Sequence, residues 1–293
     1  MNLGARDVAV VTGGASGIGF ELSRQLAHLG VSVCLTDIDQ EAIDRAVSEL
    51  TIDDSQVCGF VCDVTNRDKM AALPSKVEQI FGPANLVINN AGIFTEPAPV
   101  WEQSASTWDA AIDVNLRGVL NGINAFMPRL LAQDRPGHIV NVASTAGHVV
   151  QPMLAPYHAT KFAVTAVTES LFLELGAMPN SIGVSLVCPG FTKTSIVDDL
   201  IEASEGEIPN GDAVASAVTK SMIDGVDAGA NAADVAQQII EGVVGDKFYI
   251  MTHPYSLAYI KHRFDRVLSG KIPVLRANLR RALILNRLNA KEI

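Results

Sequence analysis

Short apolar runs alternate with longer helical patterns along most of this 293-residue chain. The runs are apolar throughout instead of alternating with polar residues, which is typical of strands covered on both faces. They predict strands over Val8–Thr12, Ser32–Asp37, Val57–Asp63, Leu86–Asn89, His138–Ala143 and Gly183–Cys188. Apolar residues at helical spacing predict helices over Ile18–Leu29, Gln40–Leu50, Arg67–Phe81, Thr107–Ala132 and Tyr157–Gly176. This order predicts an α/β, doubly wound fold in which right-handed crossovers build a parallel sheet.

Two later regions depart from this rhythm. Residues 195–230 are rich in Asp, Glu, Ala and Gly and have weak periodicity, so we expect a helical lid there. A helix over Ala232–Val244 and a strand over Phe248–Met251 follow, and a basic extension occupies residues 255–293. We therefore predict a single domain over residues 1–254, followed by a helical C-terminal extension.

Length and composition are those of one large globular domain. Hydrophobic residues make up 48% of the chain and charged residues 18%, which excludes a disordered protein. The four cysteines show no CxxC pair and no histidine at metal-ligand spacing, so we predict reduced core cysteines and no metal. The start of the chain lacks the pattern of a signal peptide, and no apolar window is long enough to span a membrane. These features predict a cytoplasmic protein.

The net charge of −10 is unevenly distributed. Residues 255–293 hold nine Lys or Arg and two Asp or Glu, which leaves a charge of −17 on the rest of the chain. An acidic body argues against nucleic acid as a partner. In the extension Leu275, Leu279 and Leu283 fall at helical spacing beside Arg276, Arg280 and Arg287. Such a helix fits an anionic membrane surface or the acidic body of the same or a neighbouring subunit, and we expect the second.

A glycine-rich turn, TGGASGIG at residues 12–19, joins the first predicted strand to the first helix. Its glycines allow a tight turn, and the N–H groups at the helix start favour a bound phosphate. Asp37 ends the second strand, about 20 positions after the glycine turn. A carboxylate at this sequence spacing accepts hydrogen bonds from the ribose of NAD. The carboxylate would repel the extra phosphate of NADP, and neither Ile38 nor Ser16 offers the basic group that NADP would need, so we predict NAD. The alternative that Asp37 only caps a turn stays open. The predicted dinucleotide site here comprises Gly13, Ser16, Gly17, Ile18, Gly19, Asp37 and Ile38.

Ser144, Tyr157 and Lys161 are the candidate catalytic residues. Tyr157 and Lys161 lie four positions apart at the start of a predicted helix and therefore share one face. A free phenol has a pKa of about 10, and a neighbouring ammonium lowers the pKa of that phenol. A surface Tyr–Lys pair is the alternative for this spacing alone. The upstream Ser144, which could hold a substrate oxygen, and the glycine turn favour catalysis.

These motifs resemble those of the short-chain dehydrogenase/reductase family, which has a Rossmann fold. The resemblance covers about residues 5–195 and also includes Asp63-Val64, NNAG at 89–92, Asn115, YHATK at 157–161 and PG at 189–190. It implies that Asn115 holds a water linked to Lys161, although a merely buried amide is the alternative. It also implies that Asp63 flanks the adenine, although a helix cap is the alternative. The further cofactor contacts that it implies are Val64, Asn90, Ala91, Gly92, Tyr157, Lys161, Pro189, Gly190, Thr192 and Thr194; which threonine meets the carboxamide stays open.

The resemblance further implies hydride transfer between NAD(H) and a secondary alcohol or ketone. Tyr157 would act as the base, and Ser144 would fix the substrate oxygen. Lys161 would lower the pKa of Tyr157 and hold the nicotinamide ribose. The apolar residues around this site predict a pocket for a bulky aromatic or alicyclic small molecule, formed by Phe94, Val149, Val150, Met153 and Leu154. The C-terminal segment is similar to that of some bacterial dehydrogenases acting on aromatic alcohols.

The family resemblance also implies a homodimer or homotetramer, formed through the two helices predicted over Thr107–Ala132 and Tyr157–Gly176. Two other functions stay open. One is an NADP(H)-dependent carbonyl reductase, and the other is a catalytically silent dinucleotide-binding regulator.

Overall fold

A seven-stranded parallel sheet forms the centre of the computed structural model, which describes residues 1–51, 56–198, 201 and 213–274. Its strands are β1 (Val8–Thr12), β2 (Ser32–Asp37), β3 (Val57–Val61), β4 (Leu86–Asn89), β5 (Gly137–Val142), β6 (Ile182–Val187) and β9 (Tyr249–Ile250). Two short strands, β7 (Thr192–Lys193) and β8 (Ala230–Asn231), pair separately. The order β3-β2-β1-β4-β5-β6-β9 reverses between β1 and β4, and such sheets bind ligands beyond the carboxyl ends of the strands at that point.

Helices cover both faces of the sheet. They are α1 (Gly17–His28), α2 (Gln40–Leu50), α3 (Arg67–Phe81), α4 (Ala105–Ala111), α5 (Gly118–Leu131), α6 (Ala155–Gly176), α7 (Ala213–Asp227), α8 (Ala232–Val244) and α9 (Pro254–Leu268). Successive residues of β1 point to opposite faces, and both are buried. Ala9 packs in a cluster with α1 and α8, whereas Val10 packs in a cluster with α3 and α5. This two-sided burial explains why the strands are apolar throughout.

The predicted fold class is confirmed, and most predicted elements lie within one or two residues of their observed bounds. The single helix predicted over Thr107–Ala132 is wrong. A π-helical turn over Ile112–Arg117 separates α4 from α5, and such turns occur frequently at functional sites. The apolar spacing gave no sign of the turn, because it depends on contacts that Asn115 makes with a distant loop.

The predicted lid and extension are described only in part. Within residues 195–230, a 3₁₀ turn spans Ser195–Val197 and α7 follows, whereas residues 199–200 and 202–212 lie outside the described residues. In the extension, α9 packs on α6, with the Arg263 guanidinium 5.0 Å from the centroid of the Phe162 ring. The amphipathic pattern predicted for Leu275, Leu279, Leu283, Arg276, Arg280 and Arg287 lies outside the described residues.

Three global features follow from the described part of the chain. None of its helices is both long enough and apolar enough to cross a bilayer. The same residues contain no group of three or more His, Cys, Asp or Glu side chains placed to bind a metal ion. All four cysteines are free, and all but the half-buried Cys58 are buried.

Candidate active site

The glycine turn between β1 and α1 depends on the lack of side chains. Gly13 and Gly17 have φ angles of +59° and +51°, in the left-handed region that favours glycine. A Cβ on Gly19 would lie 2.0 Å from the carbonyl oxygen of Gly13. Ser16 is the N-cap of α1, and its side chain makes no capping hydrogen bond. The turn is therefore a cradle that a pyrophosphate fits, with helix N–H groups facing the negative charge.

Asp37 lies across the glycine turn at the end of β2. Its carboxylate accepts hydrogen bonds from the N–H of Ala15 (3.4 Å) and of Ile38 (2.8 Å). The N-cap of the following helix α2 is Asp39, whose carboxylate accepts from two backbone N–H groups of the first turn. Asp37 therefore does not cap α2, and its position suits the ribose of a dinucleotide. The neighbouring Ile38 side chain is 71% exposed.

Asn90 fastens the end of β4 to the glycine turn. Its amide nitrogen donates to the carbonyl oxygens of Thr12 (3.0 Å) and Gly13 (3.1 Å). The Thr12 hydroxyl in turn accepts from the N–H groups of Asn90 and Ala91. The two strands at the reversal point of the sheet are thus held together by side-chain bonds as well as by the ladder.

Asp63 and Val64 follow β3 and do not line the central cavity. Asp63 accepts a hydrogen bond from the N–H of Thr65 (2.8 Å), and the Val64 side chain is buried in the core. The alternative that Asp63 caps a helix is wrong, because Asn66 caps α3. A contact of these two residues with an adenine stays a prediction.

Ser144, Tyr157 and Lys161 meet at one cavity. Ser144 lies two residues after the end of β5, and the other two lie on the first two turns of α6. The Ser144 hydroxyl lies beside the Tyr157 phenol and donates to the carbonyl of Pro189 (3.3 Å). The Lys161 Nζ lies 5.8 Å from the centroid of the Tyr157 ring and donates to the carbonyl of Val142 (3.1 Å). Tyr157 and Lys161 are 8% and 4% exposed, so water has little access to either group.

Burial dominates the electrostatics of this cluster. It raises the pKa of Tyr157, which the neighbouring Ser144 hydroxyl lowers only in part. It also lowers the pKa of Lys161 to about 8. The expectation that the Lys161 ammonium lowers the Tyr157 pKa stays a prediction.

Asn115 lies in the π-helical turn and is fully buried. Its side-chain oxygen accepts from the Ile93 N–H (2.8 Å), and its amide donates to the Ile93 carbonyl (3.0 Å) and to Thr160 (3.3 Å). A Cβ on Gly92 would lie 3.1 Å from the Asn115 oxygen and 3.3 Å from the Lys161 Nζ. Asn115 thus lies close to Lys161, but its side-chain amide hydrogen-bonds mainly with the backbone of Ile93.

The cavity at this site has a volume of about 170 Å³, and Phe94 and Leu154, two of the five predicted pocket residues, line it. The other three predicted residues do not line it. Val149 is buried in the protein interior, and Val150 is 51% exposed at the surface. Met153 packs against the cluster of Leu154, Val218 and Met222. Only the folded backbone decides which apolar side chains face the cavity, and substrate binding there stays a prediction.

Comparison with known proteins identifies the family. The model of the family described as short chain dehydrogenase matches residues 7–205. The chain belongs to this family. It is 32% identical over 260 residues to 1-deoxy-11-beta-hydroxypentalenate dehydrogenase of Streptomyces exfoliatus, over 88% of this chain and 87% of that protein.

Two solved structures extend the comparison of this short-chain dehydrogenase. A short-chain dehydrogenase/reductase of Burkholderia phymatum in complex with NAD is 34% identical, with a TM-score of 0.88 over 94% of this chain and 99% of that one. A metagenomic short-chain oxidoreductase in complex with NADP is also 34% identical, with a TM-score of 0.60 over 64% of this chain and 83% of that one. The protein is thus an oxidoreductase of a family that binds nicotinamide dinucleotides.

Some residues that line the cavity of the dehydrogenase were not named from the sequence. The predicted Ile18, Asn90, Gly92, Pro189, Gly190, Thr192 and Thr194 all line the cavity. The structure adds, among others, Phe191, Met222, Val226 and Tyr255. Phe191 adjoins the PG motif, and Met222 and Val226 lie in the lid predicted over residues 195–230, so these three could have been inferred. Tyr255 could not, because helical and strand patterns do not tell which elements pack beside a distant loop.

Proposed function

We propose that this dehydrogenase transfers a hydride between NAD(H) and a secondary alcohol or its ketone. The observation that carries the proposal is the meeting of Ser144, Tyr157 and Lys161 at one cavity. The same cavity reaches Ile18 at the glycine turn and Thr192 beyond β6. A substrate oxygen beside the phenol would therefore lie next to the proposed cofactor site.

The chain's own residues supply the proton transfer. Ser144, which lies beside the Tyr157 phenol, holds the substrate oxygen against it. Tyr157 as phenolate takes the hydroxyl proton of the alcohol, and in the reverse direction the phenol returns it. The Lys161 ammonium favours the charged phenolate, and burial excludes competing water. NAD supplies the hydride acceptor when it is bound.

The residues around the glycine turn support NAD as the cofactor. We propose that the pyrophosphate lies on Gly13, Ser16, Gly17, Ile18 and Gly19, that Asp37 and Ile38 meet the ribose, and that Asp63, Val64, Asn90, Ala91, Gly92, Tyr157, Lys161, Pro189, Gly190, Thr192 and Thr194 complete the site. The Asp37 carboxylate would repel the extra phosphate of NADP. The alternative is an NADP(H)-dependent carbonyl reductase. The likeness to a solved oxidoreductase in complex with NADP supports this alternative.

An apolar wall supports a bulky aromatic or alicyclic substrate. Phe94, Leu154, Phe191 and Met222 line the cavity and pack together as one cluster. Such a wall binds a hydrocarbon ring better than a charged chain. The name of the Streptomyces relative gives 1-deoxy-11-beta-hydroxypentalenate as that protein's substrate.

Three further hypotheses belong to this proposal. Residues 195–230 would cover the bound substrate, since Val197 and α7 already contribute to the cavity wall. The dehydrogenase would form a homodimer or homotetramer through α5 and α6, where Phe172 and Leu173 are 47% and 70% exposed. The four free cysteines suit a reducing, cytoplasmic location.

Replacement of Tyr157 by Phe tests the proposal. NADH formation is followed by absorbance with benzylic, alicyclic and steroidal secondary alcohols, using NAD and NADP in parallel. We expect kcat to fall by about 1,000-fold, while NADH binding stays within about threefold because the ring remains. Tyr259→Phe, on a surface helix, serves as the matched control.

Each of three other outcomes would contradict one part of the proposed function. Activity retained in Tyr157→Phe overturns the acid–base role of Tyr157. A higher kcat/KM of the wild type with NADP overturns the Asp37 argument. Tight NADH binding without turnover of any alcohol favours the silent regulator.

A further inference from the structure

The chain returns to the active site after its last strand. β9 lies beside β6, and the N–H of Cys188 donates to the carbonyl of Ile250 (3.0 Å). Residues 252–256, which we name the C-terminal clasp, therefore emerge beside the loop of Pro189, Gly190 and Phe191. This loop is the one that the proposed function assigns to the nicotinamide end of the cofactor.

His253 of the clasp binds two consecutive residues of this loop. The Gly190 N–H donates to Nδ1 of His253 (2.9 Å), and Nε2 lies 2.9 Å from the carbonyl oxygen of Phe191. Because Nδ1 accepts a hydrogen bond, the proton of the neutral ring is on Nε2, which donates to Phe191. The His253 side chain is 5% exposed, and burial lowers its pKa, which favours this neutral form.

Tyr255 holds the same loop beside His253. Its phenol oxygen accepts from the Phe191 N–H (3.1 Å), and its ring lies edge-on to that of His253. A Cβ on Gly190 would lie 2.3 Å from the Tyr255 oxygen and 2.8 Å from Cγ of His253. The glycine is thus required for the clasp to approach the loop.

Ser256 extends the clasp to the catalytic serine loop. Its hydroxyl lies 2.7 Å from that of Thr145, and both side chains are buried. The Thr145 N–H and the Ser144 hydroxyl both donate to the carbonyl of Pro189. One short segment therefore ties together the loop after β6 and the turn that carries Ser144.

We propose that His253 is a positioning residue that fixes Gly190 and Phe191 for the nicotinamide half of the dinucleotide. The proposal rests on the proposed function, which places that half at this loop. His253 contacts backbone atoms of the loop, so it acts through the loop. Its replacement should weaken ligands that carry a nicotinamide and spare ligands, such as ADP-ribose, that lack it.

The test compares two ligands on His253→Phe, which removes both hydrogen bonds to the loop and the one with the Thr252 hydroxyl (2.9 Å) and keeps an aromatic ring. NADH and ADP-ribose are titrated by fluorescence or calorimetry. We expect NADH affinity to fall about tenfold and ADP-ribose affinity to change less than twofold, because ADP-ribose lacks the nicotinamide that the loop would contact. His253→Gln, which can both donate and accept, should recover part of the loss.

Two further variants test whether the loss of NADH affinity comes from the clasp. His138→Phe removes a buried histidine that hydrogen-bonds with Ser185 (2.8 Å) and does not line the cavity, so it should affect neither ligand. Tyr255→Phe loses only the acceptor of the Phe191 N–H at a 46% exposed ring, so it should fold and weaken NADH about threefold.

The outcomes separate this proposal from the function on which it rests. Equal losses for NADH and ADP-ribose would show that His253 supports the fold in general, and unchanged NADH binding in both His253→Phe and Tyr255→Phe would show that the clasp does not position the loop. Wild-type protein that binds ADP-ribose but not NADH would overturn the proposed function, and the clasp with it.

Discussion

The two sides of the candidate site are built in different ways. On the cofactor side, the proposed pyrophosphate cradle is one run of consecutive residues, the glycine turn at residues 12–19, and its shape depends on backbone geometry. The substrate side is a wall of apolar side chains from separate segments, such as Phe94, Leu154, Phe191 and Met222. The glycine turn has no room for an added Cβ at Gly19. The apolar wall needs only hydrophobic side chains of about the right volume.

This difference shows where the sequence carries specific information. At Gly19 an added Cβ would overlap the Gly13 oxygen, so one residue type is possible. At Met222 any side chain of similar size and polarity would fill the space. The cofactor side should therefore respond sharply to small changes, and the substrate side should respond gradually.

The largest effect is expected for Gly19→Ala on the cofactor side. The added Cβ would lie 2.0 Å from the Gly13 oxygen, so the turn must shift. We expect NADH affinity to fall by about 100-fold or more. Gly4→Ala is the control, because a Cβ there meets no atom within 4 Å. Titration of NADH measures the loss, and a change below threefold would contradict the assignment of the cradle.

A smaller effect is expected for Lys161→Met, at the junction of the two sides. Burial displaces the Lys161 pKa from 10.5 to about 8, which corresponds to a cost of ~3 kcal/mol for the charged form. Loss of the bond to the Val142 carbonyl offsets about 1 kcal/mol of this. Without added cofactor, the variant should therefore be more stable at neutral pH, with a Tm higher by about 5 °C.

The pH dependence of this gain has a definite sign. Below pH 8 both the folded and the unfolded chain carry the Lys161 charge, so the cost is fully present. From about pH 8 to 10.5 the unfolded chain binds more protons, so wild-type stability rises relative to the variant. Thermal unfolding at several pH values measures this, with the exposed Lys271→Met as control. A gap that widens with rising pH would contradict the burial argument.

The smallest effect is expected for Met222→Leu on the substrate side. The substitution nearly conserves volume at a 4% exposed position, so the fold should lose less than about 1.5 kcal/mol. KM values across the alcohol panel should change by no more than about fivefold, and kcat should stay nearly constant, because the wall touches no reacting atom. Met178→Leu, at a 48% exposed position, is the control. A large loss of kcat would show that the wall positions the reacting groups.

Much of the fold could be predicted, because burial on both faces imposes its own sequence pattern. β1, β2 and α2 have their predicted bounds. The π-helical turn at Asn115 could not be predicted, because Asn115 there bonds with Ile93, 22 positions away, and apolar spacing does not record such a contact. Of the five residues predicted for the substrate pocket, Phe94 and Leu154 line the cavity and three do not.

The sequence by itself determined the parallel sheet, the glycine turn and the spacing of Tyr157 and Lys161. These follow from local rules: apolar runs for covered strands, a residue without Cβ for a tight turn, and four positions for one helical turn. Only the tertiary structure decided that burial raises the Tyr157 pKa and lowers that of Lys161. It alone brought the clasp with His253 against Gly190, 63 positions earlier. Desolvation and long-range contact depend on how the whole chain packs, and no short stretch of sequence records that.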